Sequence, residues 1–118
     1  MDLDLNTLVA DMKAAASGIL KADVATFRGF SERQVKAIAQ QAKLIAAGIA
    51  TGQITEETRD FFLDSLEDMA LNFAKTLRGL VLVTVEKVWN AVVGVLWKAI
   101  STATGIAIPV PAKSPGGR

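Results

Sequence analysis

Residues 77–100 read LRGLVLVTVEKVWNAVVGVLWKAI, and this stretch decides the fold class of the chain. It carries only four charged residues among its 24. When the stretch is drawn as a helix, its polar side chains lie within a wedge of about 120°, and most of the remaining circumference is apolar. A solvated helix does not expose so much apolar surface. The stretch therefore predicts a helix covered by the rest of the chain, by a protein partner or by lipid.

The composition restricts the classes of function. The 118 residues fit one domain, and 51% of them are hydrophobic with a net charge of +1. The chain has no cysteine and no histidine, which removes thiolate metal sites and the usual general base. Its bases are scattered singly, without the cluster that nucleic-acid binding needs. We therefore expect a non-enzymatic protein with no cofactor, no metal site, no nucleic-acid partner and no small-molecule substrate.

The first residues, Met1-Asp2-Leu3-Asp4, are acidic. A secretory signal peptide begins with a basic segment followed by an apolar run. We therefore expect cytoplasmic synthesis without a signal peptide, which leaves the final location open to an assembly or a membrane surface.

Two helices are predicted in the first half, over about residues 4–28 and 31–50. Ser31 and Gln34 form a capping-box pattern at the start of the second helix. Phe30 before this cap and Val35 four residues after it match a hydrophobic staple. Rows of small residues, such as Ala14 with Gly18, are expected to face the partner helix.

A third helix is predicted over about residues 55–103. Gly52 is suited to terminate the preceding helix, and Thr55 is a good N-cap. Only Gly79 interrupts the pattern. The fold is therefore all-α, in one of two forms: a long hairpin in which the first two helices pack on one unbroken third helix, or a bundle of three or four helices with a break near Gly79.

The helical domain is predicted to cover residues 1–104. Residues 105–118 contain three prolines and two adjacent glycines, which predict an extended tail. Ile106, Ile108 and Val110 alternate, so this segment can lie extended against a neighbour. An acidic strip early in the third helix, with Glu57, Asp60, Asp64, Glu67 and Asp68, is expected to be a solvated face.

The apolar face of the third helix is the predicted interaction surface. Its members are Leu80, Val81, Val85, Val88, Trp89, Val92, Val95, Leu96 and Trp97. We expect this face to make the chain a homo-oligomer or a subunit of a larger assembly, such as a virion or an injection-type machine.

The alternative is a membrane-active or membrane-peripheral protein. The stretch 77–100 is long enough to span a bilayer. Glu86 and Lys87 lie near its middle, however, and each would cost a few kcal/mol in lipid. A further expectation comes from the charge distribution. The acidic strip of one copy could contact a basic region of another copy, which would give head-to-tail association.

Overall fold

The computed structural model describes residues 3–109, which form four α-helices and no strand. The helices are α1 (Leu5–Leu20), α2 (Glu32–Ala50), α3 (Glu56–Thr76) and α4 (Leu82–Thr104), with a short 3₁₀ turn at Val24–Thr26. The predicted all-α class is confirmed. Of its two forms the four-helix bundle is correct, and the long hairpin with one unbroken helix over about 55–103 is wrong.

The predicted third helix is broken at Gly79. α3 ends at Thr76, and Gly79 has a φ of +83°, which lies outside the range of a right-handed helix. The Thr76 hydroxyl donates a hydrogen bond to the carbonyl oxygen of Phe73 (2.7 Å), which takes up one of the last free carbonyls of α3. The chain then reverses, so that α3 and α4 are neighbours in one bundle.

The first helix is shorter than the predicted range of about 4–28. It ends at Leu20, and Lys21 takes a left-handed conformation with a φ of 57°. The Ser17 hydroxyl then accepts a hydrogen bond from the Val24 N–H (2.9 Å). This bond fixes the following turn and places the Val24 side chain, fully buried, in the core.

The predicted start of α2 agrees with the structure in most details. The Ser31 hydroxyl accepts a hydrogen bond from the Gln34 N–H (3.1 Å), as an N-cap does. The Gln34 side chain does not return to the cap residue, and its amide lies within hydrogen-bonding distance of the Thr76 hydroxyl (3.3 Å). Val35 is fully buried, and the half-buried Phe30 ring meets Phe73 edge-on at 6.1 Å.

The α2–α3 connection also follows the sequence pattern. Gly52 has a φ of +81°, in the region that favours glycine. Thr55 precedes α3 as predicted, and its N–H donates to the Thr58 hydroxyl (3.0 Å). Local chemistry therefore sets this turn.

The core lies between all four helices. α2 and α4 pack side by side in the middle, and α1 and α3 flank them on opposite sides, with α1 lying mainly on α4. The Arg78 N–H donates to the Arg28 carbonyl oxygen (2.8 Å), so the α1–α2 and α3–α4 connections meet at one end of the bundle. α2 and α4 therefore both begin at this end.

The start of the predicted tail packs on the bundle. Gly105 ends α4 with a φ of 72°, and the Ile108 N–H donates to the Ser101 hydroxyl (3.2 Å). Ile108 is buried in the same core as the helices, whereas Ile106 is exposed. Val110 and the rest of the predicted tail, residues 110–118, lie outside the described residues.

Candidate interaction surfaces

Most of the predicted interaction surface is buried inside the chain itself. Six of its nine members are at most 8% exposed, namely Val85, Val88, Trp89, Val92, Leu96 and Trp97. The break at Gly79 explains this, because it supplies α3 as an additional helix that covers α4. These six side chains form the core and are not available to a partner in this fold. Leu80 and Val95 are half-buried.

On α4 the exposed large apolar side chains lie instead at the start of the helix. Val81, Leu82 and Val83 are 65%, 65% and 57% exposed, and we call these three consecutive residues the apolar corner. Only Val81 belongs to the predicted surface. Single exposed apolar residues need no explanation, whereas three consecutive ones concentrate exposed apolar side chains at one helix start.

An internal repeat shows why the apolar corner is unusual. Residues 26–30 read TFRGF and residues 76–80 read TLRGL, fifty positions apart. Gly29 and Gly79 have nearly the same positive φ, 88° and 83°, and a helix begins three residues after each. The repeat is visible in the sequence as a recurring Thr-x-Arg-Gly, a signal that the sequence reasoning missed.

The repeat extends into the helices that follow the two turns. Val35 and Val85 are both buried, as are Ile38 and Val88, each pair again fifty positions apart. α1 with α2 and α3 with α4 are therefore two similar helical hairpins. Their turns contact each other through the Arg28–Arg78 backbone hydrogen bond.

The two hairpins differ at the residues that follow the turn. The first has Ser31-Glu32-Arg33, in which the serine caps α2. The second has Val81-Leu82-Val83 at the equivalent positions, and no side-chain hydrogen bond caps α4. A helix start favours polar capping residues, so the apolar corner is not explained by the needs of the helix.

Charge is separated between the two ends of the bundle. We call the end with the two turns the basic end, since within six residues of its helix termini it has seven bases and three acids. Its bases, all exposed, are Lys21, Arg28, Arg33, Lys36, Lys75, Arg78 and Lys87. The opposite, acidic end has five acids and two bases by the same measure among residues 3–109. The apolar corner thus lies among bases.

A groove of about 490 Å³ lies at the acidic end, between the first half of α1 and the last half of α4. Leu3, Leu8 and Val95 are among its apolar lining residues. Asp4, Asp11 and Lys98 also line it and are exposed. The lining is mostly apolar with charge at the edge, which is the usual composition of a binding groove.

The small-residue rows lie differently from the prediction. Ala14 and Gly18 on α1 are exposed, and Ala14 lines the groove instead of packing into the bundle. Open space surrounds the position that a Gly18 Cβ would take. A second such row is expected on α2, with Ala42, Ala46 and Ala50; the first two are buried, and Ala50 is exposed.

The acidic strip on α3 is mostly solvated, as expected. Four of its five carboxylates are exposed, and Glu67 is the exception at 7% exposure. Phe61 lies in the same segment and is 73% exposed, with its ring edge-on to Phe62 at 5.4 Å. Across residues 3–109 no group of three or more acidic side chains is arranged to hold a metal ion.

Asp4 has a structural role at the edge of the groove. Its carboxylate accepts hydrogen bonds from the Thr7 hydroxyl (2.9 Å) and the Asn6 N–H (3.0 Å) at the start of α1. These bonds, that of Thr7 first, lower the pKa of Asp4 from its ordinary value of 3.8. The ionised carboxylate is therefore the form that caps α1.

A pH-dependent loss of stability is expected from Asp4→Ala. Because the folded-state pKa is lowered, the cap contributes above the unfolded-state pKa and is lost as pH falls through the folded-state value. The melting temperature of Asp4→Ala should be below that of the wild type at pH 7, and the difference should become smaller as the pH falls below 3.8, the ordinary pKa of Asp4. An asparagine side chain caps a helix without ionising, so the control Asp4→Asn should stay near the wild type at pH 7. A constant difference at all pH values would contradict this role.

Comparison with known protein families, with characterised proteins and with solved structures finds no match for this chain. Within residues 3–109, no helix combines the length and apolar character required to span a bilayer.

Proposed function

We propose that this chain is a non-enzymatic structural subunit that self-associates head to tail, with the basic end of one copy against the acidic end of the next. The observation that supports this most directly is the apolar corner, exposed among bases at one end of a molecule whose other end is acidic. Complementary charge orients the two ends, and apolar burial supplies the affinity.

The contact joins two different surfaces, so each copy has one of each kind free to bind a further copy. Such heterologous contacts close into rings or grow into filaments. A subunit of a large assembly, such as a virion or an injection-type machine, needs contacts of this kind. Full burial of a valine or leucine contributes about 1.5–3 kcal/mol, before the cost of association. A patch of three such residues thus supports a reversible contact that several copies reinforce.

The decisive test replaces the apolar corner with the residues of the first hairpin. The triple variant Val81→Ser, Leu82→Glu, Val83→Arg copies the sequence Ser-Glu-Arg that starts α2. The serine gives α4 a cap worth about 1 kcal/mol, and the glutamate suits the positive end of the helix dipole. We expect unchanged or higher thermal stability together with loss of self-association.

Light scattering after size-exclusion chromatography measures the association over a range of protein concentrations and salt. The wild type should form concentration-dependent oligomers that weaken as salt screens the charged ends. The control Leu44→Ser changes another residue that is 58% exposed, on α2, and should associate like the wild type. A wild type that stays monomeric at the highest concentration would refute the proposal.

A second candidate function is attachment to an anionic membrane surface. The same apolar corner could insert among the acyl chains while the surrounding bases meet acidic headgroups, each base near the surface adding about 1 kcal/mol. Flotation with vesicles of phosphatidylcholine, with and without phosphatidylserine, tests this. Co-flotation only with the anionic vesicles, abolished in the triple variant, would support the membrane candidate over self-association.

A further inference from the structure

We infer that the groove between α1 and α4 is the receiving site for the apolar corner of a second copy. The inference rests on the proposed head-to-tail function and adds the surface at which the second contact is made. Its occupant is the segment around Val81–Val83 of another molecule of this same chain.

The position of the groove makes the contact intermolecular. α4 begins at the apolar corner and ends at the groove, so the two surfaces lie at opposite ends of the same helix. At 1.5 Å per residue, the 23 residues of α4 put roughly 35 Å between its ends. A single copy cannot bring the two together. Within residues 3–109, each molecule therefore has one exposed apolar corner and one open groove.

The shape and chemistry of the two surfaces are complementary. The apolar corner projects at a helix start, with its three side chains more than half exposed. The groove is concave, and leucine, valine and alanine side chains make up most of its lining. Docking would remove both apolar surfaces from water at once.

Charge also fits this pairing. The groove has two exposed acids, Asp4 and Asp11, against one exposed base, Lys98. Two exposed bases, Arg78 and Lys87, lie next to the apolar corner. Docking the corner in the groove brings these opposite charges together. Asp11 has no part in the cap of α1, so it can be altered without removing a capping bond.

The acidic strip on α3 is the competing receptor at the same end. Its exposed apolar residue, Phe61, projects from a helix face and, unlike Leu8, does not line the groove. Two projecting surfaces bury less area than a projection in a groove. The groove is therefore the better receptor, and the strip provides the control.

Charge reversal gives the first measurement. Asp11→Lys in the groove and Arg78→Glu beside the apolar corner should each raise the dissociation constant of self-association by about five- to tenfold. The double variant should recover most of that loss, because the pair is restored with its signs exchanged. If the dissociation constant of the double variant rises by the product of the two single increases, the two residues do not contact each other.

Disulfide trapping gives the direct test, since the chain has no cysteine of its own. A copy with Val83→Cys is mixed with a differently tagged copy that carries one other cysteine, and mixed disulfides are counted on non-reducing gels. The second cysteine replaces Ala14 in the groove, Phe61 in the strip or Ala37 on an exposed part of α2. The Ala14→Cys partner should be trapped at least tenfold faster than either control.

The outcomes separate the two proposals. Preferential trapping with Phe61→Cys would overturn the groove as receptor and leave head-to-tail association standing. Preferential trapping of two Val83→Cys copies with each other would overturn both, because the contact would then be symmetric. If the Ala14→Cys partner is trapped no faster than the Ala37→Cys partner and the wild type is monomeric, both proposals are overturned as well.

Discussion

Gly29→Ala is expected to lower the free energy of unfolding by about 2–5 kcal/mol. Gly29 has a φ of 88°, where an L side chain is strained by about 1–2 kcal/mol. A Cβ there would also overlap the carbonyl oxygen of Thr76 and lie 3.0 Å from its carbonyl carbon. These are backbone atoms of the other turn, so the overlap is relieved only by separating the two hairpins, which adds about 1–3 kcal/mol.

Gly79→Ala is the matched control, because Gly79 occupies the same position in the second repeat. Its φ of 83° imposes nearly the same strain, but the Cβ would meet nothing within 4 Å. Urea unfolding followed by far-UV circular dichroism should show Gly79→Ala destabilised by about 1–2 kcal/mol only. The difference between the two variants measures the contact between the turns. Equal losses would mean that the contact adds nothing to stability.

The starts of α2 and α3 could be predicted because their signals are local. Ser31 and Thr55 precede α2 and α3 as expected, and Gly52 has the positive φ predicted from its place after a helix. Each depends on residues within one turn of the helix end. A pattern of this kind is complete in the sequence and needs no information about the rest of the fold.

The break at Gly79 depends on contacts that sequence periodicity does not include. Apolar residues continue at helical spacing through this position, and a single glycine costs a helix only about 1 kcal/mol. What favours the turn is tertiary: the Arg78 N–H binds the Arg28 carbonyl oxygen of the first turn. The repeated Thr-x-Arg-Gly is a sequence signal for the break, because the same residues already form the turn between α1 and α2 around Gly29.

The error about the interaction surface follows from the error about the break. With one unbroken third helix, only α1 and α2 remain to cover the apolar face, and a partner is needed for the rest. With the break, α3 covers the additional surface and residues such as Val88 and Trp89 become core. The apolar surface of α4 that remains exposed is small, and it lies at the start of that helix.

Trp89→Ala is expected to cost about 3–5 kcal/mol of unfolding free energy, which is a large part of the stability of a domain this size. Trp89 is 1% exposed, and its indole N–H donates to the backbone carbonyl oxygen of Glu67 (3.2 Å). The residue therefore links α4 to α3 through both packing and a buried hydrogen bond. Thermal unfolding at low protein concentration, followed by far-UV circular dichroism, measures the loss without a contribution from association.

Trp89→Phe and Trp97→Phe together separate the hydrogen bond from the packing. Both tryptophans are at most 2% exposed and lose similar apolar volume when changed to phenylalanine. Only Trp89 has an indole N–H bond among the hydrogen bonds found within residues 3–109. Trp89→Phe should therefore cost about 1 kcal/mol more than Trp97→Phe, the usual net value of such a bond. If Trp97→Phe were the more destabilising change, packing alone would account for the role of Trp89, and the link between α3 and α4 would depend on shape rather than on the hydrogen bond.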